Sequence, residues 1–129
     1  MNSAPKLIYI LEDNDDIREI LEILLTADQY DVVGFPDVSS FYKGLLNQMP
    51  DTFILDVMLP DGNGIDVCCS LKADVRTGNI PVIMMSANYT SEQMSDLCSA
   101  EDFISKPFDI SDFSRRIASQ IGAGKNYLS

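Results

Sequence analysis

Short apolar runs with the look of buried strands alternate along this chain with stretches whose apolar residues recur every three or four positions. The runs are KLIYIL, YDVVGF, TFIL, PVIMM and DFIS. Continuous apolar strands separated by amphipathic helices predict a mostly parallel sheet covered by helices on both faces, with right-handed crossovers between strands. In such open α/β sheets the carboxyl ends of the strands meet along one edge, where ligands bind. Four of the runs end there in polar residues: KLIYIL in Glu12-Asp13, TFIL in Asp56, PVIMM in Ser86 and DFIS in Lys106-Pro107. The fold therefore gathers three carboxylates, a hydroxyl and an ammonium from distant parts of the chain.

The intervening segments carry helix signals of their own. Asn14 suits an N-cap before Ile17, Ile20, Leu21, Leu24 and Leu25, which share one helical face. Asp37 caps a second helix with the stripe Val38, Phe41, Tyr42, Leu45 and Leu46. Pro60-Asp61-Gly62-Asn63-Gly64 is turn chemistry, with two glycines free to take positive φ, and a third helix is expected from about Ile65 to Ala73. Asp-Gly and Asn-Gly also suit a hairpin pairing VML with IDV, but the residues after Asp66 do not alternate strictly, which favours the helix. Thr90-Ser91-Glu92-Gln93 has capping-box spacing and opens a short helix with Met94, Leu97 and Cys98 inward. Asp109 caps the last helix, whose face is Ile110, Phe113, Ile117 and Ile121. One domain is expected over residues 1–129, with its core at about 6–121 and a frayed tail at 122–129.

Composition narrows the function classes. At 129 residues the chain can bury one substantial core without staples. No apolar run approaches the ~20 residues of a bilayer span, and MNSAPK lacks the pattern of a secretory signal, so a cytoplasmic location is expected. A net charge of −11, from 20 acids against 9 bases, argues against direct nucleic-acid contact. Histidine is absent, which excludes histidine-dependent nucleophilic triads and histidine-ligated metals. Cys68, Cys69 and Cys98 form neither a disulfide framework nor zinc spacing and read as buried small hydrophobes.

An acid at a strand end is ordinarily a solvated turn residue. Glu12, Asp13 and Asp56 brought together would repel strongly, and such a concentration of charge is tolerated mainly around a cation. All-oxygen ligands suit Mg²⁺, a hard octahedral ion usually held by one or two carboxylates, waters and a substrate phosphate. Asp56, at the end of a fully apolar run, is then placed to act as a nucleophile.

The pieces LEDN, ILDVMLPDGNGID, PVIMMSA and DFISKPF, in this order over about Lys6 to Ile121, resemble the receiver domains of two-component response regulators. That resemblance implies a flavodoxin-like (βα)5 three-layer sandwich with strand order 2-1-3-4-5, working as a signalling domain and not as an enzyme. It implies Asp56 as phosphoacceptor, Glu12, Asp13, Asp56 and the Met58 backbone carbonyl as Mg²⁺ ligands, and Lys106 as the phosphate-binding lysine. Ser86 corresponds to the switch hydroxyl and Phe103 to the aromatic that changes rotamer, while Met58 and Asn88 line the entrance. A cis Lys106-Pro107 bond is also implied. The donor that the resemblance implies is a sensor histidine kinase or a histidine phosphotransfer protein, or else a small acyl phosphate. The output that the resemblance implies is a downstream protein or a homodimer reached through the face of the fourth helix, fifth strand and fifth helix. Ser86 to Lys106 is about two residues shorter than usual, with Ser99-Ala100 where Gly-Ala is common, and the shortage falls in the fourth helix.

Two other readings share parts of this pattern. A haloacid-dehalogenase-type phosphatase also uses Asp, Ser/Thr, Lys and Mg²⁺, but needs an acid two residues after the nucleophile, where Met58 stands. A flavodoxin-like flavin-binding module needs a Ser/Thr/Gly-rich phosphate loop after the first strand, where EDNDD has the wrong charge.

Overall fold

The computed structural model describes residues 4–122. Its elements in chain order are β1 (Leu7–Leu11), α1 (Asp15–Ala27), β2 (Asp31–Phe35), α2 (Val38–Asn47), β3 (Thr52–Asp56), β4 (Met58–Leu59), β5 (Gly62–Asn63), α3 (Gly64–Ala73), β6 (Val82–Ser86), α4 (Ser91–Leu97), β7 (Asp102–Ser105) and α5 (Ile110–Gly122). The main sheet runs β2-β1-β3-β6-β7 with every pair parallel. This is the expected 2-1-3-4-5 order, with the two-residue strands β4 and β5 standing apart. No described helix is long and apolar enough to cross a membrane.

Strand periodicity divides the core in two. Tyr9, Leu11, Phe53, Leu55, Val82 and Met84 face one side of the sheet and pack with Phe41, Val67, Leu71 and Met94. Ile8, Ile10, Ile54, Ile83 and Met85 face the other and pack with Leu21, Leu25, Phe113 and Ile117. Alternate residues thus serve opposite layers, which is why β1, β3 and β6 are buried along their whole length. Removing one such side chain, as in Leu→Ala, typically costs about 2–5 kcal/mol.

The helix boundaries follow the caps. The Asn14 side chain accepts from the Ile17 amide at 2.9 Å and Asp37 from the Ser40 amide at 2.8 Å. The Asp109 carboxylate accepts from the Asp112 amide at 3.0 Å. Thr90 and Gln93 complete the capping box in both directions, at 3.0 and 2.8 Å.

Several expectations need correction. The apolar stripes are wider than the sheet can cover: Leu46 is 83% exposed, and Ile20, Ile110 and Leu97 are at least half exposed. Of the three cysteines only Cys68 is buried, while Cys69 is exposed and Cys98 half-buried. No described glycine has positive φ; the single described residue that does is Gln29, just past α1. The hairpin alternative is realised in miniature, with Met58 paired to Asn63 and Leu59 to Gly62, while Ile65-Asp66-Val67 open α3. Finally, α5 reaches Gly122, and the rest of the expected tail, 123–129, lies outside the described residues.

Candidate functional site

Register alone carries the chemistry to one place. Leu11 pairs with Leu55, so Glu12 and Asp56 leave adjacent strands side by side. Asp56 pairs with Met85, and Ser86 with Ser105, so Ser86 and Lys106 follow on the next two strands. The Lys106 amide donates to the Ser86 carbonyl at 2.8 Å, extending the β6–β7 ladder into the site. The Lys106-Pro107 bond is cis.

Carboxylate oxygens of Glu12, Asp13 and Asp56 all lie within 4.8 Å of one another. Glu12 and Asp56 are buried, at 1% and 6% exposure, and Asp13 is open to solvent. The Lys106 ammonium reaches in from the far side, 2.6 Å from Glu12 Oε1 and 3.5 Å from Asp56 Oδ2. Glu12 Oε2 also accepts the Asn14 amide at 3.1 Å, and Asp56 Oδ1 accepts the Val57 amide at 3.0 Å. Three carboxylates against one ammonium leave the cluster with two excess negative charges. Burial, and next the Glu12 charge, push the Asp56 carboxyl up to about 6 even though Lys106 pulls it back. Such a partly neutralised, oxygen-only cluster with one solvent-facing member fits a hard divalent cation.

Ser86 is buried, and its hydroxyl oxygen accepts the Asn88 and Tyr89 amides at 3.0 and 3.1 Å. Its own proton remains available to donate. Met58 and Asn88 are exposed at the rim. Phe103 is half-buried against the apolar layer that holds Met84, and its carbonyl accepts from Arg116 at 3.0 Å and from Ser91 at 3.2 Å. It stands outside the polar cluster.

Two supporting residues carry no signal at short range in the sequence. Asp61, read only as part of a turn, accepts the amides of Val38 at 2.8 Å and Ser39 at 3.1 Å, tying the β3–α3 loop to the start of α2. Gly64 lies against the phosphoacceptor candidate's backbone: a Cβ there would meet the Asp56 carbonyl oxygen at 1.9 Å. Its amide donates to the Val57 carbonyl at 2.8 Å. Close approach, and not positive φ, is what requires glycine at this position.

Residues 8–118 match the family model described as the response regulator receiver domain. The DNA-binding response regulator MtrA of Mycolicibacterium smegmatis is 31% identical over 123 residues, covering 94% of this chain and 53% of that protein. The transcriptional regulatory protein CseB of Streptomyces coelicolor is 34% identical over 104 residues, covering 79% of this chain and 43% of that one. The chain thus spans about half the length of these curated relatives. The signal receiver domain of a signal transduction histidine kinase from Syntrophus aciditrophicus superposes with a TM-score of 0.86 at 26% identity, covering 94% of this chain and 93% of that one. The receiver domain of the sensor histidine kinase PA1611 from Pseudomonas aeruginosa, solved with a magnesium ion coordinated in its active-site cleft, shares the fold with a TM-score of 0.81 at 24% identity, covering 92% and 99%. None of these matches supports a phosphatase or a flavin-binding module. From its strand order, from the edge where its polar residues converge and from these matches, the chain belongs to the response regulator receiver domain family.

Proposed function

We propose that the chain acts as a single phosphoacceptor domain, with a core at about residues 6–121, and that Asp56 takes the phosphoryl group from a phosphohistidine on a sensor kinase or a phosphotransfer protein. The observation that carries this reading is the Asp56 carboxylate set among Glu12, Asp13 and the Lys106 ammonium. An Asp56 oxygen attacks phosphorus as the donor's nitrogen–phosphorus bond breaks, giving an acyl phosphate on this chain and a free histidine on the donor. Glu12, Asp13, Asp56 and the Met58 carbonyl are the groups that would hold Mg²⁺, which when bound supplies positive charge to the phosphoryl oxygens. The magnesium-containing PA1611 receiver supports this choice of ion. Lys106, now shared between Glu12 and Asp56, turns to the new phosphate as a point charge.

Ser86 donates its free hydroxyl proton to the phosphate, and Phe103 shifts into the space that its movement opens. The readout passes to the α4-β7-α5 face, where a protein partner or a second copy docks. No sustained turnover is expected, since the product is a covalent adduct that water later removes. At −11 the chain is unsuited to contacting DNA by itself, even though relatives such as MtrA carry DNA-binding names; we place it in the cytoplasm.

The test is incubation with acetyl phosphate and Mg²⁺, read by intact mass. Expected is one phosphoryl adduct that is absent with chelator and absent from Asp56→Asn. An equal adduct on Asp56→Asn refutes the assignment.

A further inference from the structure

Arg18 lies in the first turn of α1, outside the acidic cluster, and its guanidinium reaches back toward it. Nη1 donates to the Glu12 backbone carbonyl at 2.8 Å, while Nη2 holds Asp15 Oδ1 at 2.7 Å. The Arg18 side chain is 18% exposed, against 84% for Asp15. Its stem runs along β2 at Gly34, where an added Cβ would meet Arg18 Cδ at 2.9 Å and Cγ at 3.0 Å. A strand position without a side chain thus lets the arginine lie against the sheet with its fork at the end of β1.

The bond from Arg18 completes the set around Glu12. The Glu12 amide donates to the Phe35 carbonyl at 3.0 Å, Oε1 accepts from Lys106 and Oε2 from the Asn14 amide. Asp13, the next residue, is exposed, and its carboxylate accepts no hydrogen bond among the described residues. It comes within 4.8 Å of the Glu12 and Asp56 carboxylates through the course of its backbone. The peptide leading into it is the one whose carbonyl Arg18 holds, and because a peptide is planar, fixing that carbonyl fixes the direction in which the chain enters Asp13.

We propose that Arg18 is a positioning residue for the cation site, fixing the Glu12–Asp13 peptide so that the Asp13 carboxylate is aimed at the ion. This rests on the reading that Glu12, Asp13 and Asp56 hold Mg²⁺. Groups that orient metal ligands from behind typically contribute about 10–100-fold in affinity. The charge of Arg18 works the other way. A guanidinium beside the site repels a divalent cation, so an arginine acting through charge alone would leave Mg²⁺ bound more tightly once removed. The sign of the change therefore separates positioning from charge.

Mg²⁺ is titrated calorimetrically into the parent chain, Arg18→Ala, Arg18→Lys and Asp15→Ala, and the Asp13 amide is followed by NMR in the metal-free proteins. Arg18→Ala is expected to weaken binding by about tenfold. Arg18→Lys keeps the charge and loses the fork, and should weaken it by about threefold or more. Asp15→Ala loses the exposed ion pair and keeps the Glu12 bond, and should stay within about twofold of the parent. The Asp13 amide resonance should move in Arg18→Ala well beyond any shift in Asp15→Ala, since a bond to the Glu12 carbonyl polarises the peptide that carries that amide. A merely structural role for Arg18 would lower the melting temperature and leave both readouts at their parental values. Parental or tighter Mg²⁺ binding by Arg18→Ala, or an equal loss in Asp15→Ala, overturns the positioning role and leaves the cation site standing. Where Arg18→Ala does not fold, parental affinity in Arg18→Lys overturns it in the same way. A parent chain that takes up no Mg²⁺ overturns both.

Discussion

The Lys106 ammonium stands 2.6 Å from Glu12 Oε1, closer than its 3.5 Å to Asp56. The lysine thus neutralises the fully buried acid and leaves Asp56 the less compensated carboxylate of the pair. Lys106→Ala is expected to destabilise the metal-free protein by about 3 kcal/mol, since it leaves a buried charge unpaired. Millimolar Mg²⁺ should restore part of that loss. Urea melts with and without Mg²⁺ measure both effects, and a variant as stable as the parent in chelator contradicts the pairing.

Asp56 gives the pH dependence of stability. Its folded value, about 6, lies above the ordinary 3.8. Ionised Asp56 therefore costs nothing below the ordinary value, costs more as pH rises, and reaches its full cost above about 6. With chelator present, Asp56→Asn should stabilise the fold at pH above 6 by about 1–3 kcal/mol, each tenfold change in proton affinity being worth roughly 1.4 kcal/mol. The gain should shrink steadily toward about pH 4. Thermal melts across this range check it, and a destabilised Asp56→Asn at neutral pH in chelator runs against it.

Gly64→Ala, at the buried start of α3, should be among the most damaging changes near the site. Its Cβ would meet the backbone carbonyl of Asp56 at 1.9 Å, so the start of α3 or the end of β3 has to move. A loss of about 2 kcal/mol or more is expected, with Asp56 phosphorylation falling alongside. Gly34→Ala is the control. Its nearest contact is the carboxylate end of Glu22, which can swing away, followed by the Arg18 Cδ and Cγ methylenes, which have to give by a few tenths of an ångström, and a change under about 1 kcal/mol is expected there.

Asp61 links the loop after β3 to α2 through two amides. Asp61→Ala should cost about 1–2 kcal/mol. It should also weaken Mg²⁺ binding, because the loop carrying the Met58 carbonyl loses its anchor. Asp61→Asn keeps an acceptor and should recover most of the stability. Calorimetric Mg²⁺ titration of the three proteins separates the effects, and an unchanged affinity in Asp61→Ala removes the positioning role.

Ser86→Ala should leave phosphorylation at Asp56 largely intact while uncoupling the response. The substitution removes the hydroxyl that accepts the Asn88 and Tyr89 amides and would donate to phosphate. Tyrosine and amide spectra recorded with beryllofluoride and Mg²⁺ follow the response, and a full response in Ser86→Ala contradicts its part in the switch.

Much of this site was legible because β-strand geometry is so restrictive. Once KLIYIL, TFIL, PVIMM and DFIS are read as parallel neighbours, the polar residues ending them have nowhere to go but one edge. Pairing of Leu11 with Leu55 then sets Glu12 beside Asp56. The capping residues Asn14, Asp37 and Thr90 were legible for a similar reason, since each acts on an amide three residues away. What escaped depends on distance along the chain or on the extent of cover. Asp61 finds its partners 22 and 23 residues earlier. Gly64 is dictated by a carbonyl across a turn, which mimics the signature of positive φ. Helical periodicity marks Leu46 and Ile20 as part of an apolar stripe, but the sheet beneath is too narrow to cover them.

The most direct measurement is chemical identification of the modified residue. After acetyl phosphate treatment with Mg²⁺, borohydride reduces an aspartyl phosphate to homoserine, and peptide sequencing locates it. Homoserine at position 56, abolished by chelator, is the expected result. Homoserine at another acid, or modification indifferent to Mg²⁺, would contradict the account.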